Sequence, residues 1–308
     1  MRHLFISLAL LIAAAALSAQ DFNKGWTFWY EGHDKRTVDL PHDAMIHRER
    51  DASVPSGASV AFFKGGRYYY EKVFEVPRDW LEKHVVFDFE SIYMNSEVYI
   101  NGQKAGGIHY GYLPVKVCAD GLLKAGKNTI LVVADNSALE DSRWYSGTGI
   151  YRPVHLRVTG KEHVSSVRVT TLSHNPARIR VTSTHGKGET EVRVLDKGRV
   201  VARAKGDDVV LPIPDAKLWS DTNPYLYTVE VKLKKGSKTL DTYTDTFGIR
   251  TLEWNAAHGL LVNGKETKLR GGCIHADNGI LGMAEYEDAA IRKIRILKSY
   301  GFNAIRSA

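Results

Sequence analysis

Two short stretches of this 308-residue chain gather polar and aromatic side chains that can hold a ligand or serve the structure. One is His275-Ala276-Asp277-Asn278-Gly279, where imidazole, carboxylate and amide supply both donors and acceptors. Asp-Asn-Gly is also a good turn by itself, and a loop histidine can serve a structural bond. The other is Trp144-Tyr145, whose rings can stack on a flat ligand face or pack between domains. Arg306 can serve a site or an ion pair within a core. Other chemistries find no support. Gly147-Thr148-Gly149-Ile150-Tyr151-Arg152 lacks the last glycine of a dinucleotide fingerprint. Ser146 is not in a G-x-S-x-G elbow, and His42 and His47 have no partner at zinc spacing. Glu285 and Glu287 fall on a helix, so no catalytic carboxylate pair is assigned.

The elements that must position these residues are mostly strands. The composition, 44% apolar and 25% charged, is that of an ordinary globular chain of about two domains. From Asp21 to about Gly160, short β-rich runs alternate with turn signals, among them Arg67–Val76, Val85–Phe89 and Asn128–Ala134. Asn101-Gly102 supplies a two-residue hairpin turn. A second β segment runs from about Lys161 to Phe247, with Tyr225, Tyr227, Val229, Val231 and Leu233 on one face. Its length suits an immunoglobulin-like sandwich. After Gly248 the pattern changes. Leu261–Lys265 forms a hairpin tip and Lys268–Ile274 a strand. Glu285–Tyr300 has helical spacing, with Gly301 as its stop. Phe302–Arg306 then starts another strand. Strand, helix and strand make one βαβ unit, which needs further strands and helices to bury it.

The N-terminus predicts an export signal. Arg2 and His3 precede the uncharged apolar run Leu4–Leu17, and small residues follow at Ser18 and Ala19. That run is shorter than the roughly 20 residues a spanning helix needs. No cysteine lies near the cleavage region, which argues against a lipid anchor. Cys118 and Cys273 are expected to be free, buried thiols. The formal net charge of +7 is spread among acids and apolar residues, with no basic run bearing stacking aromatics. That pattern does not predict nucleic-acid binding, and no later segment is long and apolar enough to predict a membrane span.

Several segments, taken in order, resemble glycoside hydrolase family 2, the β-galactosidase and β-glucuronidase family. Phe22–Phe28 resembles its first strand. Val38-Asp39-Leu40-Pro41-His42-Asp43 is similar to its "LPHDW" segment, with Ala44 in place of Trp. Arg143-Trp144-Tyr145-Ser146-Gly147-Thr148-Gly149-Ile150-Tyr151-Arg152 resembles "W-SG-GIYR". Leu261–Gly271 resembles "L-NGK-KLRG", and Asn303–Ser307 the start of "N-IR-SH-P".

The resemblance implies a mainly β chain. Residues 1–20 form a signal peptide and 21–160 a jelly-roll sugar-binding sandwich. Residues 161–249 form an immunoglobulin-like β-sandwich, and 250–308 the truncated start of a (β/α)8 TIM barrel. It implies hydrolysis of terminal β-glycosides, β-galactosidase-like, with retention. One glutamic acid would protonate the leaving oxygen and a second would attack the anomeric carbon. No position of this chain matches either glutamate. His275, Asp277, Asn278, Trp144 and Arg306 become candidate substrate contacts, since barrel sites lie at the C-terminal ends of strands. Ala276 holds the place of an acidic residue in the lactose-cleaving type. Arg143 falls near that type's sugar-contacting aspartate, with Asp141 two residues earlier. Galactoside, glucuronide and mannoside all stay open. Lactose-cleaving members use Mg2+ and Na+, but no ligand cluster in the sequence supports either. The expected partner is a carbohydrate, with homo-oligomers common in the family, and the expected location is periplasmic or extracellular. The alternative is a non-catalytic carbohydrate-binding protein of two sandwiches.

Overall fold

The computed structural model describes residues 21–138 and 144–307. The leader, Asp141 and Arg143 lie outside the described residues. The first unit contains β1 (Trp26–Tyr30), β2 (Arg36–Val38), β3 (Arg67–Val76), β4 (His84–Phe89), β5 (Ser96–Ile100), β6 (Gln103–Ile108), β7 (Val115–Cys118), β8 (Gly126–Asp135) and β9 (Val154–Thr159). They form a six-stranded sheet, β2-β1-β3-β8-β5-β6, and a three-stranded sheet, β7-β4-β9. Alternation explains which face goes inward. Tyr68, Tyr70, Phe74 and Val76 of β3 are buried, and so are Val85, Phe87 and Phe89 of β4. Phe22 plugs the space between the sheets, 5.0 Å from the Phe87 ring and 5.3 Å from Phe74. Asn101 and Gly102 both take positive φ, 49° and 82°, as the two-residue turn between β5 and β6 requires.

The second unit contains β10 (Val164–His174), β11 (Ala177–His185), β12 (Glu189–Asp196), β13 (Arg199–Lys205), β14 (Asp208–Pro212), β15 (Tyr227–Lys235) and β16 (Lys238–Phe247). Its sheets are β10-β11-β14 and β13-β12-β15-β16. Ile179, Val181 and Leu211 of the first meet Val192, Val194, Val229, Val231 and Leu233 of the second in one core. The chain is thus mainly β, with two sandwich-like units.

A small antiparallel sheet follows, of β17 (Leu252–Asn255), β18 (Gly259–Val262) and β19 (Lys265–Glu266). Next come β20 (Gly271–Ile274), α1 (Glu287–Ser299) and β21 (Ala304–Ser307). β20 and β21 pair in parallel, Gly271 opposite Ala304 and Ile274 opposite Ser307, so the βαβ unit read from the sequence is present. Gly301, at φ 82°, ends the helix. Its N–H donates to Lys298 O at 3.0 Å, and Phe302 N–H donates to Leu297 O at 3.1 Å, the paired bonds of a Schellman stop. No residue of α1 is buried, and Ile291, Ile294 and Ile296 are exposed.

The cysteines correct one expectation. Both are free, but both are exposed. In β7 the alternation that buries Val115 and Val117 turns Lys116 and Cys118 outward. In β20, Cys273 lies opposite Arg306, and both are exposed. Among the described residues no helix is long and apolar enough to cross a membrane.

Candidate functional site

The first sandwich meets the βαβ unit around one buried carboxylate, Asp43. Residues 42–44 lie against 148–150. His42 N–H donates to Ile150 O at 2.9 Å, and Ala44 N–H donates to Thr148 O at 2.7 Å. This holds Asp43 almost fully inside, where each oxygen receives two donors. Oδ1 accepts from Met45 N–H at 2.9 Å and Thr148 N–H at 3.2 Å. Oδ2 accepts from the Tyr145 hydroxyl at 2.7 Å and from Met283 N–H at 2.7 Å. Met283 lies in the loop between β20 and α1, so this carboxylate ties that loop to the sandwich. Burial pushes the Asp43 carboxyl above the usual range, opposed by these four hydrogen bonds. Burial and the neighbouring carboxylate push the Tyr145 hydroxyl up.

The geometry dictates two glycines. A Cβ on Gly147 would sit 2.2 Å from Asp43 Oδ2, and one on Gly282 would sit 2.3 Å from it. Gly282 also has φ 61°, where a side chain is strained. Beside the clamp, Tyr93, Tyr151, Ala276 and Met283 pack as a small buried cluster. Tyr151 O accepts from Glu285 N–H at 2.9 Å, a second tether on the same loop.

This docking brings Trp144 onto His275. Their rings stack with centroids 4.4 Å apart and planes 16° from parallel. Trp144 Nε1 donates to the Tyr112 hydroxyl at 3.1 Å, and Nδ1 of His275 is buried with no hydrogen-bond partner among the described residues. His275 follows the C-terminal end of β20. A cleft of about 550 Å³ opens there, lined among others by Tyr110, Tyr112, Tyr151, Arg152, His275, Glu285, Lys293 and Ser307.

The remaining candidates are placed differently. Asn278 works inside its own loop. Its Nδ2 donates to Ala284 O at 3.0 Å and to Glu285 Oε2 at 3.2 Å, while its Oδ1 is buried without a partner among the described residues. Asp277 is exposed, and its backbone carbonyl accepts from Lys293 Nζ at 3.3 Å. Arg306 is exposed on β21. Its strand neighbours Ile305 and Ser307 line the cleft and Arg306 does not. The structure therefore joins Trp144 and His275, sets Asp277 and Asn278 in the adjoining loop, and leaves Arg306 apart. Asp43 was not singled out by the sequence reading, nor were Tyr112 and Arg152. The one available signal was the pair of motifs around residues 38–43 and 143–152.

Magnesium and sodium need shells built of oxygen. Among the described residues one group has metal-ligand geometry, His84, Cys118 and Asp120. It brings nitrogen and sulfur donors and shares no residue with the cleft. It does not fit either ion.

Comparison with known proteins agrees with this layout. The profile of the sugar binding domain of glycosyl hydrolases family 2 matches residues 39–159, and that of glycosyl hydrolases family 2 matches residues 154–250. A β-galactosidase of Bacteroides ovatus is 34% identical over 93% of this chain and 38% of its own length. A β-glucuronidase of Bacteroides fragilis is 27% identical over 98% of this chain and 48% of its own. The crystal structure of a glycosyl hydrolase family 2 member from Bacteroides cellulosilyticus superposes with a TM-score of 0.86 at 31% identity. It covers 94% of this chain and 42% of that one. The chain thus spans less than half the length of these relatives. Two matched profiles in the family's order, and a matching fold over nearly all described residues, lead to one conclusion: the chain belongs to glycosyl hydrolases family 2.

Proposed function

We propose that this chain is the N-terminal part of an exported, retaining β-glycosidase, acting in the periplasm or outside the cell on terminal β-glycosides. The observation that carries the reading is the Trp144–His275 stack at the C-terminal end of β20, held by the Asp43 clamp. Barrel enzymes build their sites at that end of their strands. A jelly-roll residue stacked there holds the cleft-lining histidine in place at a sugar subsite. In this reading β20, α1 and β21 open a (β/α)8 barrel. Its later strands carry the acid glutamate and the nucleophilic glutamate, set roughly 5–5.5 Å apart for retention. His275, which lines the cleft, offers its imidazole to a sugar hydroxyl. Trp144 fixes the plane of the imidazole. Glu285 is not the acid, because it is tied to Asn278 and lies 3.7 Å from Lys293 Nζ. The substrate class is a β-galactoside or a β-glucuronide, the names borne by the relatives.

The test compares the 308-residue chain with the product of the reading frame continued past codon 308, on aryl β-galactoside, β-glucuronide and β-mannoside. The longer product is expected to release phenol with retained anomeric configuration, and the 308-residue chain none. Trp144→Ala in the longer product is expected to raise KM. Hydrolysis by the 308-residue chain alone overturns the reading. Sugar binding without hydrolysis by the longer product overturns it in favour of a carbohydrate-binding protein.

A further inference from the structure

We infer that His84, Cys118 and Asp120 form a binding site for a borderline-soft divalent cation of the zinc class, on the outer face of the β7-β4-β9 sheet. Strand register and the turn after β7 place the three together. In the antiparallel β4–β7 ladder Val86 lies opposite Cys118. His84 lies two residues before Val86, so it shares the outward face with Cys118. β7 ends at Cys118, and Asp120 follows in the turn, where its Oδ1 accepts from Val85 N–H at 2.8 Å and its Oδ2 lies 2.7 Å from His84 Nδ1. The three ligand atoms lie within 4.8 Å of one another. His84 Nδ1 is 4.0 Å from Cys118 Sγ. Around a tetrahedral zinc ion, neighbouring ligand atoms sit roughly 3.3–3.8 Å apart. The observed pair distances bracket that range, so small side-chain rotations admit the ion.

The donor set selects the class. Thiolate, imidazole and carboxylate together suit zinc and disfavour magnesium and calcium, which take oxygen. Three protein ligands leave the fourth position to water. Binding balances as follows. The Cys118 S–H bond breaks, sulfur bonds to the metal, and the proton leaves to solvent. Metal replaces the proton on His84 Nδ1, and the ring is protonated at Nε2 from solvent. Asp120 binds as the carboxylate. The site also touches the connection between the two sandwiches. The His163 ring stacks on His84 at 4.5 Å and 8° from parallel. Its Nδ1 is held 3.1 Å from Gly160 O and from Lys161 O. A metal on Nδ1 fixes the His84 ring beneath that linker.

The experiment uses the 308-residue chain with Cys273→Ser, so that any thiol signal belongs to Cys118. Titration with Co2+ is expected to give a thiolate-to-cobalt charge-transfer band saturating at one metal per chain, displaced by Zn2+. Cys118→Ser is expected to abolish the band. His84→Ala and Asp120→Asn are expected to weaken binding by at least about 10–100-fold, the loss seen when even an outer partner is removed. A readout on unsubstituted ligands guards against misfolded variants: Zn2+ is expected to protect Cys118 from alkylation. Absence of the band, an unchanged alkylation rate with Zn2+, or full Zn2+ uptake by folded Cys118→Ser would each overturn the inference.

Discussion

Asp43→Asn is the sharpest perturbation of the junction, because the substitution is isosteric and changes the sign of one atom. The amide retains one acceptor oxygen and replaces the other by a donor. Its orientation follows from the partners. The Oδ1 position faces two backbone N–H groups, Met45 and Thr148, which can only donate. The Oδ2 position faces one backbone N–H, Met283, and the Tyr145 hydroxyl, which can turn and accept. The new NH2 therefore occupies the Oδ2 position, and Met283 N–H alone loses its acceptor. Met283 is fully buried, so water does not readily replace that partner. An orphaned buried donor costs about 1–3 kcal/mol, which raises the opening equilibrium of the β20–α1 loop roughly 5–150-fold. Amide hydrogen exchange measures this directly. Exchange at Met283 is expected to accelerate within that range, while Met45 and Thr148 keep their protection. Unchanged protection at Met283, or equal loss at all three amides, would refute the reasoning that Asp43 is the tie between the sandwich and this loop.

Three further outcomes follow from the same geometry. Gly147→Ala and Gly282→Ala each force a methyl group to within 2.3 Å of Asp43 Oδ2, and each is expected to lower unfolding stability by roughly 1–3 kcal/mol in urea titrations. Burial lowers His42 from 6.5 to about 3, so the unfolded chain takes up a proton between those values that the folded chain does not. The stability is fully present above pH 6.5 and is lost as pH falls towards 3, by on the order of 4–5 kcal/mol. His42→Gln should flatten that acid limb, and an unchanged slope would place the titration elsewhere. A double-mutant cycle of Trp144→Ala and His275→Ala should show a coupling of about 0.5–1.5 kcal/mol from the stacked rings, read from thermal denaturation.

Much of this protein is local and therefore legible along the chain. Period-two burial fixed the strands of both sandwiches. Asn101-Gly102 fixed its hairpin, since both residues accept positive φ. Gly301 fixed the end of α1. The order of motifs fixed the family, because each motif is a run of neighbouring residues. Tertiary structure decided what depends on partners far apart in the chain. The role of Asp43 was not legible, for its donors come from positions 45, 145, 148 and 283 and meet only after the domains dock. The pairing of Trp144 with His275 has the same origin. Arg306 was placed by alternation within a strand whose phase the sequence left open, and one step separates it from the cleft. Cys118 was expected inside from its residue type, yet its position in β7 turned it outward. That same outward turn set it beside His84 and Asp120. Residue type records a preference for burial, whereas register and docking decide which neighbours each side chain meets.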